Sequence, residues 1–238
     1  MKVIVAGSRS ITCAAFVDRA IRQSGFEITE VVCGMAMGVD LLGKDWADEH
    51  HIPVKEMPAD WRPDEKYDRG AGFRRNERMA EYAEALIAIW DGESHGTKHM
   101  IELALEKGFQ VYVYRVPVFV FGSNLKGIHG AGAARTARIK YGAQMGIGEG
   151  RTGQSYAIPT KASQYQRRNI SKIHVSVKNF LRYAEDHAEL DFVITRIGCG
   201  LAGYTDEDIA PLFADAPPNC QFDPLWKRFG LRSWEVAL

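Results

Sequence analysis

Five glycine-bearing loops stand out in the chain as places where a phosphate could be held against the backbone. They are Gly7-Ser8-Arg9, Gly34 to Asp40 with Gly38 inside it, Gly92 to Gly96-Thr97, Gly122-Ser123-Asn124 running on to Gly130-Ala131-Gly132, and Gly198-Cys199-Gly200-Leu201 running on to Tyr204. Glycine lets the backbone approach a phosphate, and the free N–H groups of a helix start favour an anion. One such loop is often turn chemistry and nothing more. Several at successive strand ends favour binding. Arg74 adds a guanidinium suited to a two-pronged phosphate contact, and Lys161 adds an amine at the end of an apolar run.

Other spacings are less telling. His95, His99 and Glu102 imitate a metal-ligand pattern, but His95 precedes the helix start expected near Thr97, so the three need not share a face. A surface or capping role fits them better. Cys199, between two glycines, reads as a small packed residue rather than a nucleophile. The chain is therefore expected to need no metal and no cofactor.

The elements that must carry these loops alternate. Apolar runs at Lys2–Ala6, Ile28–Cys33, Val54–Met57, Ala85–Trp90 and Val111–Tyr114 are expected strands. Helices are expected over residues 13–23, 41–49, 73–82 and 98–107. Strands buried on both faces and separated by helices imply a parallel, doubly wound sheet, whose ligands collect beyond the carboxyl ends of the strands. The stretch Pro58–Gly72, with Trp61 and Tyr67, is long for a loop: it is either a lid or an ordinary surface loop anchored by its aromatics, and the second is favoured.

From Val118 a new strand begins directly after Pro117. It is followed by a helix ending near Tyr141, a glycine-rich segment at 142–153, a strand at Ser155–Pro159, a helix at Asn169–Asp186, and a strand at Asp191–Thr195. Thr205 then caps a helix beginning at Asp206. The tail from Phe213, with Trp226 and Trp234, has no assignable element. Its tryptophans dock onto the body or onto another subunit, which leaves a homo-oligomer open.

The bulk numbers bound the function. Hydrophobic residues make up 46% and charged residues 25%, and 30 Lys plus Arg balance 30 Asp plus Glu. A zero net charge argues against general nucleic-acid binding, although local patches such as Arg167-Arg168 remain. No apolar run approaches the ~20 residues of a membrane span. The start reads directly as a strand and not as a secretory signal, and four scattered cysteines suit a reducing cytosol, so a cytoplasmic protein is expected.

The first half resembles the SLOG superfamily, which includes the DprA/Smf proteins and the Lonely Guy phosphoribohydrolases. The resemblance rests on Gly-Ser-Arg after the first strand, Gly34…Gly38-x-Asp40, Arg74-Arg75-Asn76-x-x-Met79 and Gly96-Thr97. It implies a nucleotide-derived ligand at Gly7, Ser8, Arg9, Gly34, Gly38, Asp40, Arg74, Asn76, Gly96 and Thr97. The family's hydrolases carry Pro-Gly-Gly-x-Gly-Thr-x-x-Glu; here only the Gly-Thr end is kept, and Met100 replaces the glutamate. A binder or sensor is implied rather than a hydrolase.

The second half resembles macro domains, nearest to the terminal ADP-ribose glycohydrolase type. Asn124 with Gly130-Ala131-Gly132, Ile158-Pro-Thr-Lys161 and Arg196-Ile-Gly-Cys-Gly-Leu201 carry the likeness. The resemblance implies an ADP-ribose-like ligand at Gly122, Ser123, Asn124, Gly130, Ala131, Gly132, Gly198, Cys199, Gly200, Leu201 and Tyr204. It also implies that Lys161 forms a covalent adduct with the ribose aldehyde, with Asn124 at a ribose hydroxyl. Ala202 stands where the family has its acid, and Asp206 is the nearest carboxylate. By resemblance, both families occur in nucleotide signalling and phage–host conflict. The expected fold is thus α/β, two three-layer α/β domains, with a Rossmann-like parallel sheet over 1–116 and a macro-like mixed sheet over 117–238. The expected function is binding of an ADP-ribose or NAD-derived nucleotide, with hydrolysis, mere sequestration or the reading of ADP-ribosylated macromolecules left open.

Overall fold

In the computed structural model, which describes residues 1–163 and 165–234, the apolar run after Met1 forms strand β1 (Lys2–Gly7) at the centre of a five-stranded sheet. The chain then alternates through α1 (Ala14–Ser24), β2 (Glu30–Cys33), α2 (Val39–Glu49), β3 (Val54–Glu56), α3 (Ala71–Tyr82), β4 (Ala85–Trp90), α4 (His95–Glu106) and β5 (Gln110–Arg115). All pairings are parallel and the order is β3-β2-β1-β4-β5, with Ile4 opposite both Val32 and Leu86. Period-two alternation divides β1 between two helical layers. Ile4 and Ala6 pack with Met79 of α3 and with Met100 and Ala104 of α4. Val5 faces α2, where Gly43 is required: a Cβ there would stand 2.6 Å from Val5 Cγ1. The order reverses between β1 and β4, so the crevice of this sheet opens there. These elements make one compact unit, Met1–Val116.

The second unit, Pro117–Leu238, has its own sheet. Its elements are β6 (Val118–Asn124), α5 (Gly132–Lys140), β7 (Gly150–Thr152), β8 (Ser155–Lys161), α6 (Ile170–Asp186), β9 (Phe192–Ile194), α7 (Asp206–Ile209) and β10 (Cys220–Phe222). The order is β10-β9-β6-β8-β7, parallel except that β7 runs antiparallel to β8, so the sheet is mixed. Val118, Val120 and Ile158 pack one face against Ile173, Val177 and Phe180 of α6. On the other face Phe119 stacks on Tyr141 at 4.5 Å, and Phe121 meets the ring of His129 edge-on. The α/β reading of both halves therefore holds.

Two segments depart from the sequence reading. The glycine-rich stretch contains β7, and the tail, expected to lack assignable structure, supplies β10 and a 3-10 turn at Pro224–Phe229. Trp226 on that turn is fully buried in the unit's own core. Trp234 is half-buried, and the tail's last residues, 235–238, lie outside the described part of the chain. Among the described residues, no helix is long and apolar enough to cross a membrane.

Candidate nucleotide-binding clefts

At the reversal between β1 and β4 a cleft of about 450 Å³ opens over the carboxyl ends of those strands. Its floor is polar and tightly organised. Asp40, from the first turn of α2, is buried; it accepts from the amides of Gly7 at 3.4 Å and Ala36 at 3.3 Å and pairs with Arg75 at 3.2 Å. Arg75 also donates to the Gly34 carbonyl and to Asn76 Oδ1, while Asn76 Nδ2 donates to the Gly96 carbonyl at 3.1 Å. One buried network thus ties the loop after β2, helix α3 and the start of α4 together. Burial pushes the Asp40 carboxyl above its ordinary value, against the pull of the Arg75 charge.

Asp91, at the end of β4, accepts from Ser10 Oγ at 2.7 Å and from the amides of Ser94 and Glu93 at 2.8 and 3.0 Å. Burial works to raise it, but these hydrogen bonds outweigh that and hold it below the usual carboxylate range. Ser94 caps α4 through the Thr97 amide, and the start of that helix, at Gly96, forms the cleft's anion-favouring edge. Gly96 has open space where a Cβ would be. Trp61, Phe73 and Met100 supply apolar walls, and Arg9, Arg69 and Arg75 supply positive charge.

Gly7, Arg9, Asp40, Asn76, Gly96 and Thr97 line this cleft. Ser8 lies beneath it, its hydroxyl accepting from the Asp91 amide. Gly34 lines a neighbouring hollow, and Gly38 is a conformational residue: its φ is +79°, and a Cβ would stand 2.7 Å from the Ser8 and Arg9 carbonyl oxygens. Arg74 requires correction. Its side chain is more than half exposed and paired with Asp68, whereas Arg75 is the arginine inside. The helical spacing Ala71, Arg75, Met79 marks the buried face and carried that signal. Trp61 was missed as a wall, since the aromatics of the 58–72 stretch read as surface anchors.

The second unit has a cleft of about 570 Å³ over the ends of β6, β8 and β9. Backbone dominates here. Gly130, Gly132 and Gly200 line it, and nothing lies within 4 Å of a Cβ added to any of them. Lys161 at the end of β8 donates to the Leu201 carbonyl at 3.4 Å, bridging to the second loop. Gly122, Ser123, Asn124, Ala131, Gly198 and Leu201 also line the cleft, together with Thr160, Tyr165, Thr195 and Arg196, which the sequence reading had not placed there. Arg196 lies two residues beyond β9, and its position just past a strand end was the available signal.

Four of the expected site residues are engaged within the protein. Asn124 is buried, with Oδ1 accepting from the Lys126 and Ile128 amides at 3.2 Å each and Nδ2 donating to the Ile128 carbonyl at 2.9 Å; it ties its own loop. Cys199 does not line the cleft. Its thiol hydrogen-bonds the Ile197 and Thr205 carbonyls, and burial pushes it up to about 12. Tyr204 donates to the Arg168 carbonyl, and the Arg167 guanidinium lies 4.3 Å from its ring centroid. Asp206 is locked by two bonds of 2.9 Å from Arg196, one of 2.7 Å from Trp226 Nε1 and one of 3.3 Å from Arg228. The Arg196 bonds hold it down at about 2. The carboxylate is thus committed to Arg196, Trp226 and Arg228 and is not among the residues lining the cleft.

Among the described residues, no three of His, Cys, Asp or Glu gather as a metal cluster. His99 instead faces Asn76 and meets Phe73 edge-on beside the first cleft.

Comparison with known proteins reaches the first unit. Residues 1–63 match the family described as YAcAr: YspA, cpYpsA-related SLOG family. That segment holds the loops after β1 and β2 and ends beyond Trp61. A solved structure, the DNA processing protein A (DprA) from Streptococcus pneumoniae, is similar at 20% identity with a TM-score of 0.39, over 47% of this chain and 49% of that one. The chain thus spans about half of that protein's length. No curated protein matches.

Proposed function

We propose that this chain is a nucleotide-binding protein with one ligand cleft in each unit, and that it holds its ligands without cleaving them. The first cleft takes a phosphorylated nucleoside. The observation that supports this best is the convergence, at the sheet's reversal point, of the α4 N-terminus, three arginines and the Trp61 and Phe73 rings. Amides and guanidinium groups suit phosphate, and the rings suit a base. The SLOG match over 1–63 agrees with a nucleotide-related role for this unit.

The second cleft takes a diphosphate-bridged nucleotide of the ADP-ribose kind. Support comes from the three glycines whose missing side chains leave bare backbone facing open space, and from the likeness of the loops to macro domains. Binding without hydrolysis is supported by the lining among the described residues, which includes Lys161 and no carboxylate beside it. A lysine needs a partner or desolvation to lose its proton, and its nearest bond is to a carbonyl. In the first cleft, Asp40 and Asp91 are both committed to holding loops.

Thermal denaturation against a panel of ADP-ribose, its 1″-phosphate, cyclic ADP-ribose, NAD and AMP tests the reading, because a ligand that binds only the native state raises the melting temperature. ADP-ribose and AMP should both stabilise the protein and be recovered intact by chromatography. Absence of any shift, or release of free base or ribose, would contradict it.

A further inference from the structure

The first cleft has a neighbour. A second hollow of about 390 Å³ adjoins it, and Arg9, Ala36, Trp61 and Arg75 line both. Each hollow alone sits in the lower part of the ~300–1,000 Å³ range of ligand pockets. The lining they share is cationic, with Arg9 and Arg75, and the Arg9 guanidinium stands 5.6 Å from the Trp61 ring centroid. Phe73 and Met100 are apolar residues of the first alone, beside Arg69 and Asp91, and Met35, Met37, Pro58 and Tyr67 belong to the second alone. Met37 and Tyr67 there are 70% and 66% exposed, large apolar side chains left in water at the rim of a hollow. The Tyr67 ring lies nearly parallel to Trp61, at 13° and 6.2 Å. One face is therefore held against Trp61, and a base can stack on the exposed ring.

We propose that the first unit's ligand carries two bases joined through phosphate, with the linking phosphate at Arg9 and the second base on the Met37–Tyr67 platform. The inference rests on the reading that this unit binds a nucleotide, and adds the class of nucleotide. Apolar residues in each hollow and a cationic lining shared between them are the complement of base–phosphate–base. A mononucleotide leaves the second hollow and its exposed ring without use.

The test is calorimetry on the full chain with AMP, the linear dinucleotide pApA and a longer oligoadenylate, using wild type, Tyr67→Ser and Met37→Ser. Both substituted side chains are exposed, so the fold is retained. The expected result is that pApA binds about tenfold or more tighter than AMP, the scale of one stacked base, and that each substitution removes most of this advantage while leaving AMP unchanged. Equal affinities for AMP and pApA would overturn the two-base assignment while leaving the nucleotide reading standing. So would a pApA advantage untouched by both substitutions. Tightening that continues with the oligoadenylate would replace the small ligand by a strand. Failure of all three to bind would remove the nucleotide reading together with the inference.

Discussion

Between β1 and β4 the first cleft offers aromatic rings and guanidinium groups, one of them held in a buried ion pair, whereas the second offers bare backbone along Gly130, Gly132 and Gly200. The two solutions suit different parts of a nucleotide. Side-chain cations recognise charge and tolerate variation in shape, while glycine backbone demands a close fit along a diphosphate. They also fail differently. Substituting the first cleft's key arginine should damage the fold, but filling the second with one side chain should damage only binding.

The largest effect expected from that contrast is in the first unit. Arg75→Ala leaves Asp40 buried without its cation, and breaking a buried pair in this way costs about 3–5 kcal/mol. Arg74→Ala removes an exposed partner of Asp68 and should cost no more than about 1 kcal/mol, with AMP affinity unchanged. Chemical denaturation of the two variants decides between them; equal losses would mean that the α3 face has been misassigned.

Next comes the second cleft. Gly130→Glu puts bulk and negative charge into open space, at a position without the positive φ that would strain Gly132→Glu. ADP-ribose affinity should fall at least about 100-fold, roughly 2.7 kcal/mol, at an unchanged melting temperature. A wild-type affinity in this variant would show that the ligand lies elsewhere.

A pH effect is expected in the second unit. His129 is fully buried beside Phe121, and neither ring nitrogen has a hydrogen-bond partner. Burial, helped by the charge of Arg138, lowers its folded-state value below the ordinary 6.5. The unfolded chain therefore binds the extra proton first as pH drops. Stability is full above about 6.5 and declines below it, by up to about 1.4 kcal/mol per pH unit until His129 charges in the folded state. His129→Phe should flatten that decline in denaturation curves taken between neutral and mildly acid pH; an unchanged slope would remove His129 as its cause.

The remaining expectation concerns Lys161. Lys161→Ala should weaken ADP-ribose binding by about 1.5–3 kcal/mol if its amine meets phosphate charge, and by less if it only bridges to Leu201. Borohydride treatment with ligand should trap no adduct at Lys161. A trapped adduct, with turnover lost in Lys161→Ala, would restore the hydrolytic reading.

Where side chains repeat with a period, the sequence was legible. The apolar run Ala85–Trp90 is a strand with those bounds, and the stripe Ile173, Val177, Phe180 is the core face of α6. Loops at strand ends pointed to the clefts for the same reason, since parallel sheets collect ligands there. What stayed hidden depends on contacts between distant residues. Asp206 looked like a free carboxylate because Arg196 and Trp226, ten and twenty residues away, meet it only in the folded chain. The tail concealed a three-residue strand too short for a periodic signal and a tryptophan whose burial only packing reveals. Arg75 was readable, since Ala71 and Met79 flank it at helical spacing, but the neighbouring Arg74 is chemically identical and spacing had to decide between them.

The two-cleft account is tested most directly by calorimetry of AMP and ADP-ribose on wild type, Arg69→Ala and Gly130→Glu. Arg69 is exposed and lines only the first cleft, so its removal spares the fold. Arg69→Ala should weaken AMP and leave ADP-ribose untouched, and Gly130→Glu should abolish ADP-ribose and leave AMP untouched. Loss of both ligands in either variant, or loss of neither, would contradict two separate nucleotide sites.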